Sequence, residues 1–239
     1  MNTLKIPLKQ LSVGDNGLSV KLPVNEYPML FSGPMVESIF EGRKTKTRRI
    51  IKLPKDFDGN KVYDNPAFGL KYTSTMHGGT VQRIAPRFQP GDRLWVRESL
   101  AKQLDGKYIF KADYPTGYKA DFTATGNWKP SIHMPRLASR ITLEVLDVRA
   151  ERLQEISESD AIAEGIRPLF TKADINTPYY HPELDLNPMP WINYLWPKKA
   201  AFSSLGSAVG SYRSLWELIN GSESWIENPW VWVITFKKV

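Results

Sequence analysis

The sequence predicts an α+β fold, a small mixed β-barrel with flanking helices and two long loop insertions. Three observations predict it. Strand-like segments are short and are joined by long connections rich in Pro, Gly, Asn and Asp. Few segments carry helical spacing, about three in all. Regular alternation of strand and helix, which a doubly wound parallel sheet requires, is missing. The 239 residues allow one elaborated domain or two small ones, and 41% hydrophobic with 24% charged residues is ordinary for a folded globular chain.

Residues 1–26 show weak alternation and read as an N-terminal arm or extension, ahead of a domain over 27–239. Met29 to Phe31 reads as a short buried strand. Ser32-Gly33-Pro34 opens a helix, with Ser32 as candidate cap and Pro34 suited to the first turn. Val36, Ile39 and Phe40 follow at helical spacing, and Gly42 ends it. Thr45 to Ile51 is extended and β-branched. The first insertion, about 53–90, is expected to hold little regular structure. Pro90-Gly91-Asp92 then turns into Arg93–Glu98, which alternates like a half-buried strand. Lys107 to Ala112 is another short strand. Leu137 to Val148 is the strongest strand, with Ile141, Leu143, Val145 and Leu146 among polar residues. Ser157-Glu158-Ser159-Asp160 is a capping box for a helix that Gly165 stops. The second insertion, about 167–209, is interrupted by Pro168, Pro178, Pro182, Pro188, Pro190 and Pro197. Leu215, Trp216, Leu218 and Ile219 mark the last helix, ended by Asn220-Gly221, and Trp230 to Lys237 is the closing strand.

The segment that carries chemistry is Glu41 to Arg49, in which five of nine residues are cationic. A solvated strand edge or a phosphate-binding strip would each account for the charge, but neither needs a particular order of residues. The order here is Gly42-x-Lys44-x-x-Thr47-x-Arg49. It resembles the signature of the ASCH (activating signal cointegrator homology) family, which belongs to the PUA-like β-barrels. Gly91-Asp92-Arg93-Leu94-Trp95-Val96 is similar to that family's next strand, and Leu153-Gln154-Glu155-Ile156-Ser157-Glu158 to the start of its later helix, here ending at Glu164-Gly165. Val231 to Lys237 resembles its closing strand. Trp95 to Glu98 and Lys129 to Arg136 look like longer, phage- and prophage-borne members. The resemblance covers about 28–51, 90–166 and 210–239, and omits the insertions.

Some compact bacterial members of that family are amidohydrolases that remove the acyl group of N4-acetylcytidine with a Lys, a Thr and a Glu. The resemblance implies that Lys44, Thr47 and Glu164 take those roles. The chemistry is sound: a threonine hydroxyl becomes a nucleophile once a base takes its proton, and a lysine is a base only when neutral. Arg43, Lys46, Arg48 and Arg49 would lower the Lys44 pKa by repulsion, and Glu164 would raise it. Two mechanisms stay open. Thr47 attacks the amide while Lys44 accepts its proton, or Glu164 activates a water while Lys44 and Thr47 stabilise the oxyanion. A non-catalytic RNA- or DNA-binding module holding a modified base is the runner-up, and a ribonuclease the third reading.

Arg49 and Arg43 are further candidates for contact with substrate. His133, between Ile132 and Met134, and Arg136 are expected to wall the substrate site, and Trp128 to stack on a base. Trp191 is a second loop tryptophan of that kind, whereas Trp95 and Trp230, being in strands, read as core. His77 and His181 fall in the insertions, and no paired-histidine spacing exists, so no metal and no cofactor are expected. The absence of cysteine excludes thiol nucleophiles and disulfides. The expected partner is a small nucleoside or nucleobase, with RNA or single-stranded nucleic acid as the alternative that a net charge of +7 would favour. No apolar run reaches membrane-spanning length and no secretory signal is visible, so the expected location is the cytoplasm.

Overall fold

The computed structural model describes residues 8–11, 20–55, 57, 63–65, 69–73, 81–114, 128–168, 191–192 and 206–239. In chain order the first strands are β1 (Leu8–Leu11), β2 (Val20–Pro23), β3 (Glu26–Leu30), β4 (Lys46–Ile50), β5 (Tyr63–Asn65), β6 (Gly69–Thr73) and β7 (Val81–Ile84). They are followed by β8 (Arg93–Arg97), β9 (Leu100–Lys102), β10 (Tyr108–Phe110), β11 (Thr142–Arg152) and β12 (Trp230–Lys238). The α-helices are α1 (Gly33–Phe40), α2 (Glu158–Ala163) and α3 (Ala208–Asn220). The class is mixed α+β with sheet at the core, and among the described residues the sheets are open ones. No helix of the described residues is long and apolar enough to cross a membrane. The chain divides into two units, one of Met1–Phe40, Arg87–Val148 and Ile234–Val239, the other of Glu41–Pro86 and Arg149–Val233.

In the first unit the sheet order is β3–β8–β11–β12. β3 lies parallel to β8, with Met29 opposite Val96, and β8 is antiparallel to β11, with Leu94 opposite Leu143. The two-residue period buries Leu94, Val96, Leu143 and Val145 and turns Arg93, Trp95 and Arg97 to the other face. α1 buries Val36 and Ile39, as its spacing requires, and leaves Phe40 44% exposed. Near the sheet, Glu98 is buried, and Arg140 clamps it through two bonds of 2.8 Å. The Arg140 guanidinium lies 4.1 Å from the Phe110 ring centroid and 4.9 Å from that of Phe40. A buried carboxylate is tolerated when a planar fork satisfies both its oxygens, and aromatic faces favour the cation. β1 and β2 form a separate antiparallel pair.

The strongest expected strand is displaced. It begins at Thr142 and runs to Arg152, while Arg136–Ala138 forms a 3-10 turn and Leu137 is 97% exposed. Pro135 precedes the turn, and the Ser139 hydroxyl donates to the Val96 carbonyl at 2.8 Å, so local bonding replaces the ladder there. At the far end, charged residues continue the strand because Ala150 is buried and partners flank the backbone.

In the second unit the order is β11–β12–β4. Leu153 N–H donates to Pro229 O at 3.0 Å and Ile51 N–H to Trp230 O at 2.9 Å. Leu153, Ile156, Ala161, Ile166, Tyr212, Trp216, Val231 and Val233 form one buried cluster that fixes α2 and α3. Ser157 caps α2, accepting from Asp160 N–H, and Ser207 caps α3, accepting from Gly210 N–H. The first insertion departs from expectation: β5, β6 and β7 form an antiparallel sheet, with Leu70 opposite Ile84. Its turn-rich composition hides strands of three to five residues, whose stability comes from pairing. Most of the second insertion lies outside the described residues; Pro168 and Trp191 form a β-bridge, and Ile192 O accepts from the Ser211 hydroxyl at 2.7 Å.

Replacing Leu153, 0% exposed, by Ala should cost about 2–5 kcal/mol of stability. The same change at exposed Leu137 should stay within about 0.5 kcal/mol. Urea titration followed by tryptophan fluorescence measures both.

Candidate active site

All the groups of this site belong to the second unit. Backbone bonding sets the start of β4 against the end of α2, Thr45 N–H donating to Ala163 O at 2.9 Å. Gly165 takes φ 92°, a left-handed conformation that turns the chain just after Glu164. The Gly165 carbonyl accepts from Arg43 Nη1 at 2.6 Å. A helix C-terminus presents unsatisfied carbonyls that draw cations, and Lys44 is delivered there. Its Nζ donates to Glu164 O at 2.7 Å, Glu164 Oε2 at 2.8 Å and Lys46 O at 2.9 Å. Three acceptors suit the three N–H bonds of an ammonium. The side chains of this pair are 0% and 4% exposed, so the contact is dry.

The other oxygen of Glu164 accepts from Arg48 Nη1 at 3.1 Å. Arg48 is itself fully enclosed, and three carboxylates converge on it. Its Nε and Nη2 donate to Glu151 Oε1 at 2.9 and 2.5 Å, and its Nη2 to Asp160 Oδ2 at 2.8 Å. Lys46 also pairs with Asp160, and Arg149 Nη2 reaches Asp160 at 2.9 Å and Glu151 at 3.1 Å. Tyr212, from α3, places its ring centroid 5.9 Å from the Arg48 guanidinium. Thr47 is 3% exposed. Strand alternation puts it with Arg49 on one face of β4, and Lys46 with Arg48 on the other.

Burial is the largest influence on Lys44 and lowers its pKa from the ordinary 10.5; Glu164 opposes this, and Arg49 and Arg48 reinforce it. Burial likewise lowers the Arg49 pKa, against the attraction of Glu164. Burial also works against the charge of Arg48, but Glu164 and Glu151 outweigh it and raise that pKa. Tyr212 is held well above the usual tyrosine value, first by burial and then by Glu164, so its hydroxyl is neutral. For Asp160 burial acts upward, but hydrogen bonds from Lys46 and Arg48 prevail and its carboxyl is lowered.

The structure thus brings Lys44 and Glu164 into direct contact and places Thr47 three residues along, on the adjoining strand. Arg49 lies on the Thr47 face of β4. Arg43 serves as an anchor, bonded to Glu41 and to Gly165 O. His133, Arg136 and Trp128 belong to the first unit. There Arg136 pairs with Glu26 at 2.9 Å, His133 is exposed on a 3-10 turn, and Trp128 packs 5.8 Å from Tyr114 between ring centroids. Trp95 is half-buried on the outer face of β8 rather than in the core, with Arg97 and Arg136 over its ring. Strand membership alone did not reveal which face would be covered.

Glu151, Arg149, Asp160 and Tyr212 were not legible as site residues. Asp160 reads as half of a capping box, and its backbone does accept that role, but its carboxylate turns to Lys46, Arg48 and Arg149. The spacing of Arg149 and Glu151 on one face of a strand was the available signal. Among the described residues no group of three or more His, Asp or Glu is placed to hold a metal ion. No family model, curated protein or solved structure matches the chain.

The lowered Asp160 pKa has a consequence for stability. Because the unfolded state binds the proton more readily, Asp160 stabilises the fold fully above its unfolded value near 3.8, and the contribution is lost as pH falls through the lower folded value. Asp160→Asn should therefore cost about 1.5–3 kcal/mol at pH 5.5 and lose less stability than the wild type on further acidification. Urea unfolding at a series of pH values measures the difference.

Proposed function

We propose that the protein is an amidohydrolase that cleaves the N4-acyl amide of acylated cytosine nucleosides or bases, yielding the free amine and a carboxylate. In this reading the chain is a PUA-like barrel of the ASCH type, with Lys44, Thr47 and Glu164 as its catalytic residues. The observation that carries it is the dry contact between Lys44 Nζ and Glu164 Oε2 at 2.8 Å, with a buried threonine three residues after the lysine. The resemblance in the order of residues assigns roles to the same three.

The resting Lys44 ammonium first releases one of its three protons to solvent, a loss that burial, Arg49 and Arg48 favour. The Thr47 hydroxyl then attacks the acyl carbon, and its proton passes to the neutral Lys44 amine. The tetrahedral intermediate collapses as the C–N bond breaks, and the departing N4 takes a proton from Lys44. Water then hydrolyses the threonine ester, restoring the hydroxyl and releasing the carboxylate. Glu164 holds the lysine nitrogen and compensates the ammonium formed at each transfer. The converse mechanism, with Glu164 as base for a water, is disfavoured because Arg48 and Lys44 occupy its two oxygens. Arg49, which shares a face of β4 with Thr47, would donate to a nucleobase or acyl carbonyl. No cofactor enters this chemistry, and a cytoplasmic nucleoside pool would supply its substrate.

Incubation of the purified protein with N4-acetylcytidine should produce the ultraviolet change of cytidine formation, rising with pH along a limb below the ordinary lysine value of 10.5. Thr47→Ala should lower kcat by roughly 10²–10⁴-fold while near-ultraviolet circular dichroism is unchanged. Absence of turnover, with salt-sensitive oligonucleotide binding in its place, would overturn the proposal in favour of a binding module. Retained turnover in Thr47→Ala would move the nucleophile to water.

A further inference from the structure

We infer that Arg48 is the positioning residue of this site, holding Glu164 so that a single carboxylate oxygen faces Lys44. The inference rests on the hydrolase reading for its catalytic meaning, but its geometry stands apart from it. The side chain of Arg48 is 0% exposed, and each of its three nitrogens is bonded to a carboxylate. Two of these carboxylates, Glu151 from β11 and Asp160 from the first turn of α2, anchor the guanidinium to separate elements. The third, Glu164, is the one that touches Lys44. A guanidinium is planar and its donors are fixed in a fork, so anchoring two sides sets the direction of the third.

Without Arg48 the Glu164 carboxylate could rotate about its terminal bond and offer both oxygens to Lys44. The lysine would then face an unshared negative charge and hold its proton more firmly. Arg48 thereby serves Lys44 twice, by dividing the charge of Glu164 and by adding repulsion of its own. Among the described residues, the charged groups that act on the lysine are Glu164, Arg49 and Arg48. Around Arg48 and its carboxylates stand Lys46 on β4, Arg149 and Glu151 on β11, Asp160 on α2 and Tyr212 on α3. Lys46 and Arg149 tie down Asp160, and Arg149 also ties down Glu151, so the anchors of Arg48 are themselves braced.

The test compares Arg48→Gln, which removes the charge, with Arg48→Lys, which keeps the charge but cannot span three carboxylates. Lysine labelled with ¹³C at Cε reports the titration of Lys44 by NMR in the whole protein, its signal assigned through Lys44→Arg. Both variants should move the Lys44 midpoint to higher pH, Arg48→Gln the further. With N4-acetylcytidine, kcat should fall at least about tenfold with KM changed less than about twofold, and the rising limb should move in parallel. If Arg48→Gln does not fold, Arg48→Lys alone decides. An unmoved Lys44 midpoint in a folded variant overturns the positioning role. A wild type without turnover overturns the hydrolase reading, while the NMR comparison still decides the position of Glu164.

Discussion

The second unit is organised around the need to satisfy one buried carboxylate, Glu164, at the end of a short helix. An ionised carboxylate in a dry interior is costly unless cations and donors surround it, and a cost of several kcal/mol per ion is the usual scale. Here one oxygen meets Lys44 and the other meets Arg48. Each cation then needs its own compensation. Lys44 finds it in two backbone carbonyls, and Arg48 in Glu151 and Asp160. The result ties the segment before β4, the end of β11 and both ends of α2 to one set of charges.

Position along the helix makes the arrangement less costly than it first looks. Glu164 sits where the helix dipole is unfavourable to an anion, but the same carbonyl-rich end favours the cations that accompany it. Lys44 bonds to the Glu164 carbonyl as well as its carboxylate, and Arg43 bonds to the next carbonyl at Gly165. The positive φ of Gly165 ends the helix there and leaves those carbonyls available. Low dielectric then gives each charge a longer reach, so that Arg49 and Tyr212 also respond to Glu164.

The first unit supplies an instructive contrast. Glu98 is as deeply buried as Glu164, and Arg140 satisfies it with a bidentate fork. Both Glu98 oxygens are taken by that one arginine, which Asp113 and two aromatic rings hold in turn. Such a pair is complete in itself and serves packing. At Glu164 the oxygens are divided between two cations of different kind, one of which has a titratable proton. Division of the carboxylate between a lysine and an arginine, rather than its burial, is what distinguishes Glu164 from Glu98.

The linear sequence by itself determined the α+β class, helices α1, α2 and α3 with the Ser157 cap and the glycines that follow them, and the ordered Lys44-x-x-Thr47 segment, because these depend on spacing between near neighbours. It also put Glu164 at the end of a helix. Only the tertiary structure decided which cation came, since Lys44 and Glu164 are 120 residues apart. Tertiary pairing likewise shifted the longest strand to Thr142–Arg152, made a three-stranded sheet from turn-rich sequence and left Trp95 on an outer face. It turned the Asp160 carboxylate toward Lys46, Arg48 and Arg149 while the Asp160 N–H kept its place in the cap, and gathered Glu151, Arg149 and Tyr212 around Arg48. The physical reason is common to all of these: local propensities are settled within a few residues, whereas burial and charge compensation are properties of whatever the folded chain places nearby.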